Sequence, residues 1–156
     1  LCFSEQAARL GVEALRRGAV IVTDTKMAWS GINKKKLAQY GGEAYCFMSD
    51  EDVAEEAKKR ECTRAAICME RGAALGREVI FAVGNAPTAL IRLYELIREG
   101  QVRPALIIGA PVGFVNVVEA KELIMTAGVP YIVPRGRKGG SNIAATICNA
   151  MLYAKE

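Results

Sequence analysis

Short runs rich in valine and isoleucine alternate along this chain with longer stretches of helical period. Five runs have the length and β-branched content of strands: 19–23 (AVIVT), 44–48 (AYCFM), 78–83 (EVIFAV), 105–109 (ALIIG) and 130–134 (PYIVP). Between them the pattern predicts helices. The first is capped by Ser4, turns Ala7, Ala8, Leu10, Gly11 and Leu15 inward and ends at Gly18. A short helix over about 31–39 stops at Gly41-Gly42, and a single long helix follows a Ser49 cap through DEDVAEEAKKRECTRAAICMERGAA, its acidic opening matched to the helix dipole. Further helices run from Pro87 to about Glu99, from about Val115 to Ala127, and onward from near Ser141. Strands separated by helical crossovers imply a three-layer α/β/α sandwich of Rossmann-like, doubly wound type, with a mostly parallel five-stranded sheet in one domain spanning 1–156. The prolines at the two ends of 130–134, Pro130 and Pro134, place that strand at the sheet edge.

Composition narrows the class. At 156 residues and 51% hydrophobic the chain holds enough apolar material for one core. No apolar run approaches the roughly 20 residues that cross a bilayer, so the expectation is a soluble, cytoplasmic protein without a membrane partner. Lysine and arginine total 21 against 17 acids, a formal charge of +4, too mild and dispersed to point to nucleic acid. The five cysteines form no CxxC pair, and the absence of histidine removes the commonest partner for a metal site, so reduced buried thiols and no metal are expected. That absence also removes the side chain best placed for acid–base work near neutral pH.

The unusual residues cluster after the strands, where ligands bind in an open parallel sheet. They are 24–33 (DTKMAWSGIN), 84–88 (GNAPT), 109–114 (GAPVGF) and the cationic stretch 134–142 (PRGRKGGSN). Each alone reads equally as ordinary punctuation: Asp24 as a turn cap, Trp29 as a packing anchor, Lys34-Lys35-Lys36 as a solvated face. Neither glycine-rich segment has the spacing of a dinucleotide fingerprint or a P-loop. Together, glycine-freed amides, a helix start at Ser141 and the charges of Arg135, Arg137 and Lys138 make a receptor for a multiply charged anion.

TDTKMAWSGIN, FAVGNAPTAL, GAPVGFVNVVEAKE and PRGRKGGSNIAATICNA, in that order, resemble the precorrin-8X methylmutase family of vitamin B12 biosynthesis over essentially the whole chain. The resemblance implies an α/β/α sandwich, a homodimer with active sites near the subunit interface, and migration of a methyl group from C-11 to C-12 of a corrinoid, giving hydrogenobyrinate or cobyrinate. It implies no cofactor. By position it implies tetrapyrrole contacts from Ser30, Gly31 and Asn33, from Arg64, and from Arg137 to Ser141. The macrocycle, flat and fringed with acetate and propionate groups, suits a rim of Asn85, Ala86, Pro111, Val112, Gly113 and Phe114 beside Arg135, Arg137, Lys138, Gly139, Gly140 and Ser141. The family carries roughly fifty residues ahead of this starting point, about one supersecondary unit, including the histidine thought to assist the shift. The expectation is therefore the C-terminal majority of such an enzyme, with a ligand rim but no catalytic residue of its own. A corrinoid carrier and a nucleotide- or phosphate-metabolite enzyme of the same architecture stand as the alternatives.

Overall fold

The computed structural model describes residues 1–113 and 115–154. In chain order it runs β1 (Cys2–Phe3), α1 (Ala7–Arg16), β2 (Val20–Thr23), α2 (Lys26–Gly31), α3 (Lys34–Gln39), β3 (Ala44–Cys46), α4 (Glu51–Arg60), α5 (Arg64–Ala73), β4 (Val79–Val83), α6 (Pro87–Arg98), β5 (Leu106–Gly109), α7 (Val117–Met125), β6 (Tyr131–Val133) and α8 (Ser141–Leu152). The strands form one six-stranded sheet ordered β1-β6-β5-β4-β2-β3. All neighbours are parallel except β1 on β6, where Cys2 lies opposite Val133 and Phe3 opposite Ile132.

Alternation along the strands divides the core into two layers. Val20, Val22, Val79, Phe81, Val83 and Ile107 face the helices α4 to α7 and pack with Val53, Ile67, Leu90, Leu93 and Ile124. Ile21, Ile80, Ala82, Leu106 and Ile108 face the other way, onto α1, α3 and α8 through Leu15, Leu37, Ala144 and Cys148. Central strands β2, β4 and β5 are buried at every position, which is why their sequences run apolar without alternation. From β2 the chain moves outward to β3, whereas from β4 it moves the other way to β5 and β6, so the topological switch point lies between the tips of β2 and β4.

The architecture matches the α/β/α expectation, with local differences. The sixth strand, β1, is only two residues long, below what periodicity detects, and it covers β6, so 131–133 is not the sheet edge. Ser4 does not cap α1. Its hydroxyl accepts from Tyr131 N at 2.8 Å while its own N–H donates to Tyr131 O at 3.0 Å, extending the β1 pairing. The inward stripe of α1 is Ala7, Gly11, Ala14 and Leu15, with Ala8 exposed.

The predicted long helix breaks in two: Glu61 adopts φ 55°, and Thr63 restarts the chain by accepting from Ala66 N at 3.1 Å. Threonine is a poor interior residue and a good cap, and here its capping role prevails. The capping position of α4 is Asp50 rather than Ser49. After β2 the stretch expected to be a loop coils into α2, because Thr25 Oγ1 accepts from Ala28 N at 3.0 Å and starts a helix there.

Candidate functional site at the strand tips

The segment from Pro134 to Gly140 travels along the carboxyl edge of the sheet, from the tip of β6 across β5 to the switch point. Close backbone approach marks its path. A Cβ on Gly139 would sit 2.4 Å from Pro111 O and 2.5 Å from Ala110 O, and Gly140 N donates to Ala110 O at 2.8 Å. At the switch point a Cβ on Gly84 would lie 2.6 Å from Ser141 Cα, and the Ser141 and Thr25 hydroxyls are 2.8 Å apart. Val112 N donates to Asn85 O at 3.0 Å, joining the β5 tip to the β4 tip. Glycine at 84 and 139 is thus demanded by contact, since any side chain would hold the loops apart.

Two buried charges organise this edge. Asp24, 1% exposed at the tip of β2, receives Gly84 N at 2.7 Å, Asn85 N at 3.0 Å and Ala86 N at 2.7 Å. Burial pushes its pKa up, and the three amides pull against that shift. Lys121, 2% exposed on α7, donates to Pro134 O and Gly136 O at 2.8 Å and to Lys138 O at 2.5 Å. Burial draws its pKa below the ordinary lysine value. Sequence reasoning named Asp24 only as a turn cap and passed over Lys121. The available signals were an aspartate following an apolar strand and a lysine that falls, at helical spacing, on the face of α7 shared by Val117, Ala120 and Ile124.

Most residues read from the sequence as binding residues meet here. Asn85, Val112, Gly113, Arg135, Arg137 and Lys138 are exposed on the edge, Ala86, Gly139, Gly140 and Ser141 are half-buried, and Pro111 is buried beneath them. The amides of Asn85 and Ala86 are engaged by Asp24, so at these rim residues the backbone donors are already used. Arg64 opens α5 beside Thr63, whose hydroxyl lies 3.0 Å from that of Thr88 in the first turn of α6, so it borders the same edge from the opposite helix layer.

Gly31 and Asn33 are held against the far half of α8 and not by the strand tips. Gly31 O accepts from Asn149 Nδ2 at 2.8 Å, Asn33 N donates to Asn149 Oδ1 at 2.8 Å, and Asn33 Nδ2 bonds the Tyr153 hydroxyl. These residues close the seam between the end of α2 and the far half of α8, about 12 Å along that helix from Ser141 at 1.5 Å per residue. Ser30 is exposed on the same turn of α2. Phe114 lies outside the described residues.

The edge presents cations and apolar surface together: Arg135, Arg137 and Lys138 are exposed in the loop whose Gly140 would bring a Cβ within 3.8 Å of the exposed Val112 side chain. A nearby cavity of about 450 Å³ between α5 and α6 differs in kind, because its Arg60 and Arg92 are both bonded to Glu70 and hold that carboxyl below its usual range. The cysteines are all unpaired thiols, and burial pushes Cys68 and Cys148 up to about 12. Among the described residues no helix is long and apolar enough to cross a membrane.

A ligand that suits this edge is broad, apolar across its face and acidic at its rim. The sequence profile of the family described as precorrin-8X methylmutase (CbiC) matches residues 1–154. The chain belongs to that family. Curated cobalt-precorrin-8 methylmutases from Leptospira interrogans and Priestia megaterium are 45% and 44% identical to it, covering 94% and 97% of this chain, which spans 70% and 67% of theirs. The fold agrees with a crystal structure of precorrin-8X methylmutase from Thermus thermophilus at a TM-score of 0.86 and 39% identity, covering 97% of this chain and 74% of that one. Within a methylmutase of this family, the strand-tip edge of this chain is the candidate substrate seat.

Proposed function

We infer that this chain acts as a precorrin-8X methylmutase, an isomerase of the cobalamin pathway that moves a methyl group from C-11 to C-12 of a corrinoid precursor. The observation that carries the reading is that Val112, Gly139, Gly140 and Ser141 share the carboxyl edge of the sheet with the exposed cations of 135–138, in a chain whose family is described by this reaction. In this reading the ring lies against Val112 and the neighbouring apolar surface. Its carboxylates meet Arg135, Arg137, Lys138, the first turn of α8 and, from the far side, Arg64.

The chemistry asked of the protein is orientation of the ring, exclusion of water from its face and stabilisation of its acidic fringe. The chain works as a homodimer in the cytoplasm, on the metal-free or the cobalt-containing ring, with no cofactor of its own. General acid–base help typically contributes about 10²–10⁴-fold, and these 156 residues contain no histidine to supply it.

Purified chain is incubated with precorrin-8X and the absorbance of hydrogenobyrinate is followed. Conversion above the uncatalysed rate but short of full turnover is expected, since no histidine is present to assist the shift. Spectral binding without conversion would replace the isomerase with a carrier, and thermal protection by ATP or NAD but not by corrinoids would move the protein to another class altogether.

A further inference from the structure

Lys121 Nζ is the meeting point of three alternate carbonyls of one loop, those of Pro134, Gly136 and Lys138. An ammonium has three donors and no acceptor, so these three bonds match its full capacity. In a planar trans peptide the C=O and the following N–H point in opposite directions. Carbonyls 134, 136 and 138 aimed at Lys121 therefore direct the N–H groups of Arg135, Arg137 and Gly139 away from it. A further bond, Lys138 N to Arg135 O at 3.3 Å, tightens the turn between them. The side chains of Arg135, Arg137 and Lys138 remain exposed, while Lys121 itself is shut from solvent on the far side of the loop.

We propose that Lys121 is a positioning residue for substrate. By drawing alternate carbonyls of the 134–138 loop inward, it turns the amides of Arg135 and Arg137 outward beside their own guanidinium groups, where they receive carboxylates of the corrinoid. Lys121 touches no substrate and transfers no proton. It sets the polarity of the loop surface, because without an internal cation the carbonyl oxygens would be as free as the N–H groups to face the ligand and would repel its acids. This rests on the functional reading above.

The test compares the chain with Lys121→Met, which keeps the length and apolar stem of the side chain and removes the donors. Three measurements are made: titration with hydrogenobyrinate by absorbance, thermal melting, and the rate at which trypsin cuts after Arg135, Arg137 and Lys138. The dissociation constant should rise about tenfold or more, the scale of losing hydrogen bonds to a charged group, and cleavage in the loop should quicken. A purely structural lysine would lower the melting temperature and leave the dissociation constant alone, so titration identical to wild type overturns the proposal.

Should Lys121→Met not fold, wild-type amide exchange decides: hydrogenobyrinate must slow exchange at residues 135 and 137, and unchanged exchange there overturns the assignment. Should the wild-type chain bind no corrinoid at all, the methylmutase reading falls with it, and cleavage still judges the lysine. Faster cutting in the variant keeps its role as organiser of the loop, and equal cutting removes it.

Discussion

Gly139→Ala probes the closest backbone approach at the site. Its Cβ would be placed 2.4 Å from Pro111 O, 2.5 Å from Ala110 O and 2.8 Å from Ala110 C. All three are main-chain atoms, so no flexible side-chain end can swing aside, and the loop must lift from β5 by most of an ångström to restore ordinary contact. Lifting it breaks the 2.8 Å bond from Gly140 N to Ala110 O that anchors the entry to α8. Overpacking of this kind costs about 1–3 kcal/mol, and the lost hydrogen bond about 0.5–1.5 kcal/mol more. For a domain of this size each kcal/mol lowers the melting temperature by about 2–4 °C, so a fall of about 5–15 °C is expected, together with weaker corrinoid binding. Gly136→Ala is the control: its φ is +61° but no atom lies within 4 Å of the added carbon, leaving only the left-handed backbone penalty of about 1–2 kcal/mol. Melting curves of the two variants, run side by side with the wild type, decide the matter. A Gly139→Ala protein melting with the wild type, or a larger loss from Gly136→Ala, would refute the claim that contact with β5 shapes this loop.

Asp24→Ala strands three inward amides, each costing about 1–3 kcal/mol when left unpaired; some relaxation to water leaves an expected loss of about 3–5 kcal/mol in urea denaturation. The double change Arg137→Ala with Lys138→Ala should weaken corrinoid binding while the melting temperature barely moves, because exposed charges stabilise folds little; equal losses of both would mark the loop as structural. Val112→Asp places a carboxylate against the face of the ring and should abolish binding in the same titration, whereas unchanged affinity would remove Val112 from the seat. With a thiol reagent at pH 8, half-buried Cys2, Cys46 and Cys62 should react in the native protein and buried Cys68 and Cys148 only on unfolding. Because burial raises both of the latter from 9.0 to about 12, their contribution to stability is complete below pH 9 and is lost as pH climbs toward 12; alkaline melting curves should show that decline.

What the residues disclose in advance follows from the range of the interaction. The parallel strands and their order of appearance are readable because a strand covered on both faces must be nearly continuously apolar, as VIFAV and LIIG are and VIVT is up to its last residue. The clustering of Val112, Gly139, Gly140 and Ser141 follows from the same topology, since all lie beyond strand tips. Features decided by a single distant partner are hidden. Ser4 is an ordinary cap by sequence and becomes a sheet residue only because Tyr131 lies beside it. Asn33 and Gly31 look like an open binding loop until Asn149, remote in the chain, closes on them. Asp24 passes for a turn cap because its three amides come from another strand's loop.

The two buried charges share one logic. Asp24, an anion, gathers N–H groups of the turn after β4, and Lys121, a cation, gathers carbonyls of the loop after β6. Each neutralises backbone of opposite polarity and leaves the complementary polarity facing outward. In the turn after β4 that consumes the donors, so Asn85 keeps an exposed side chain while its amide is occupied. In the loop after β6 it consumes acceptors, so donors and cations face the same way. In the proposed reading, a polyacidic ring would therefore be drawn toward β6 and the start of α8, with its apolar face toward Val112. On that reading, two buried side chains, Asp24 and Lys121, set the polarity of the edge that a ligand would meet.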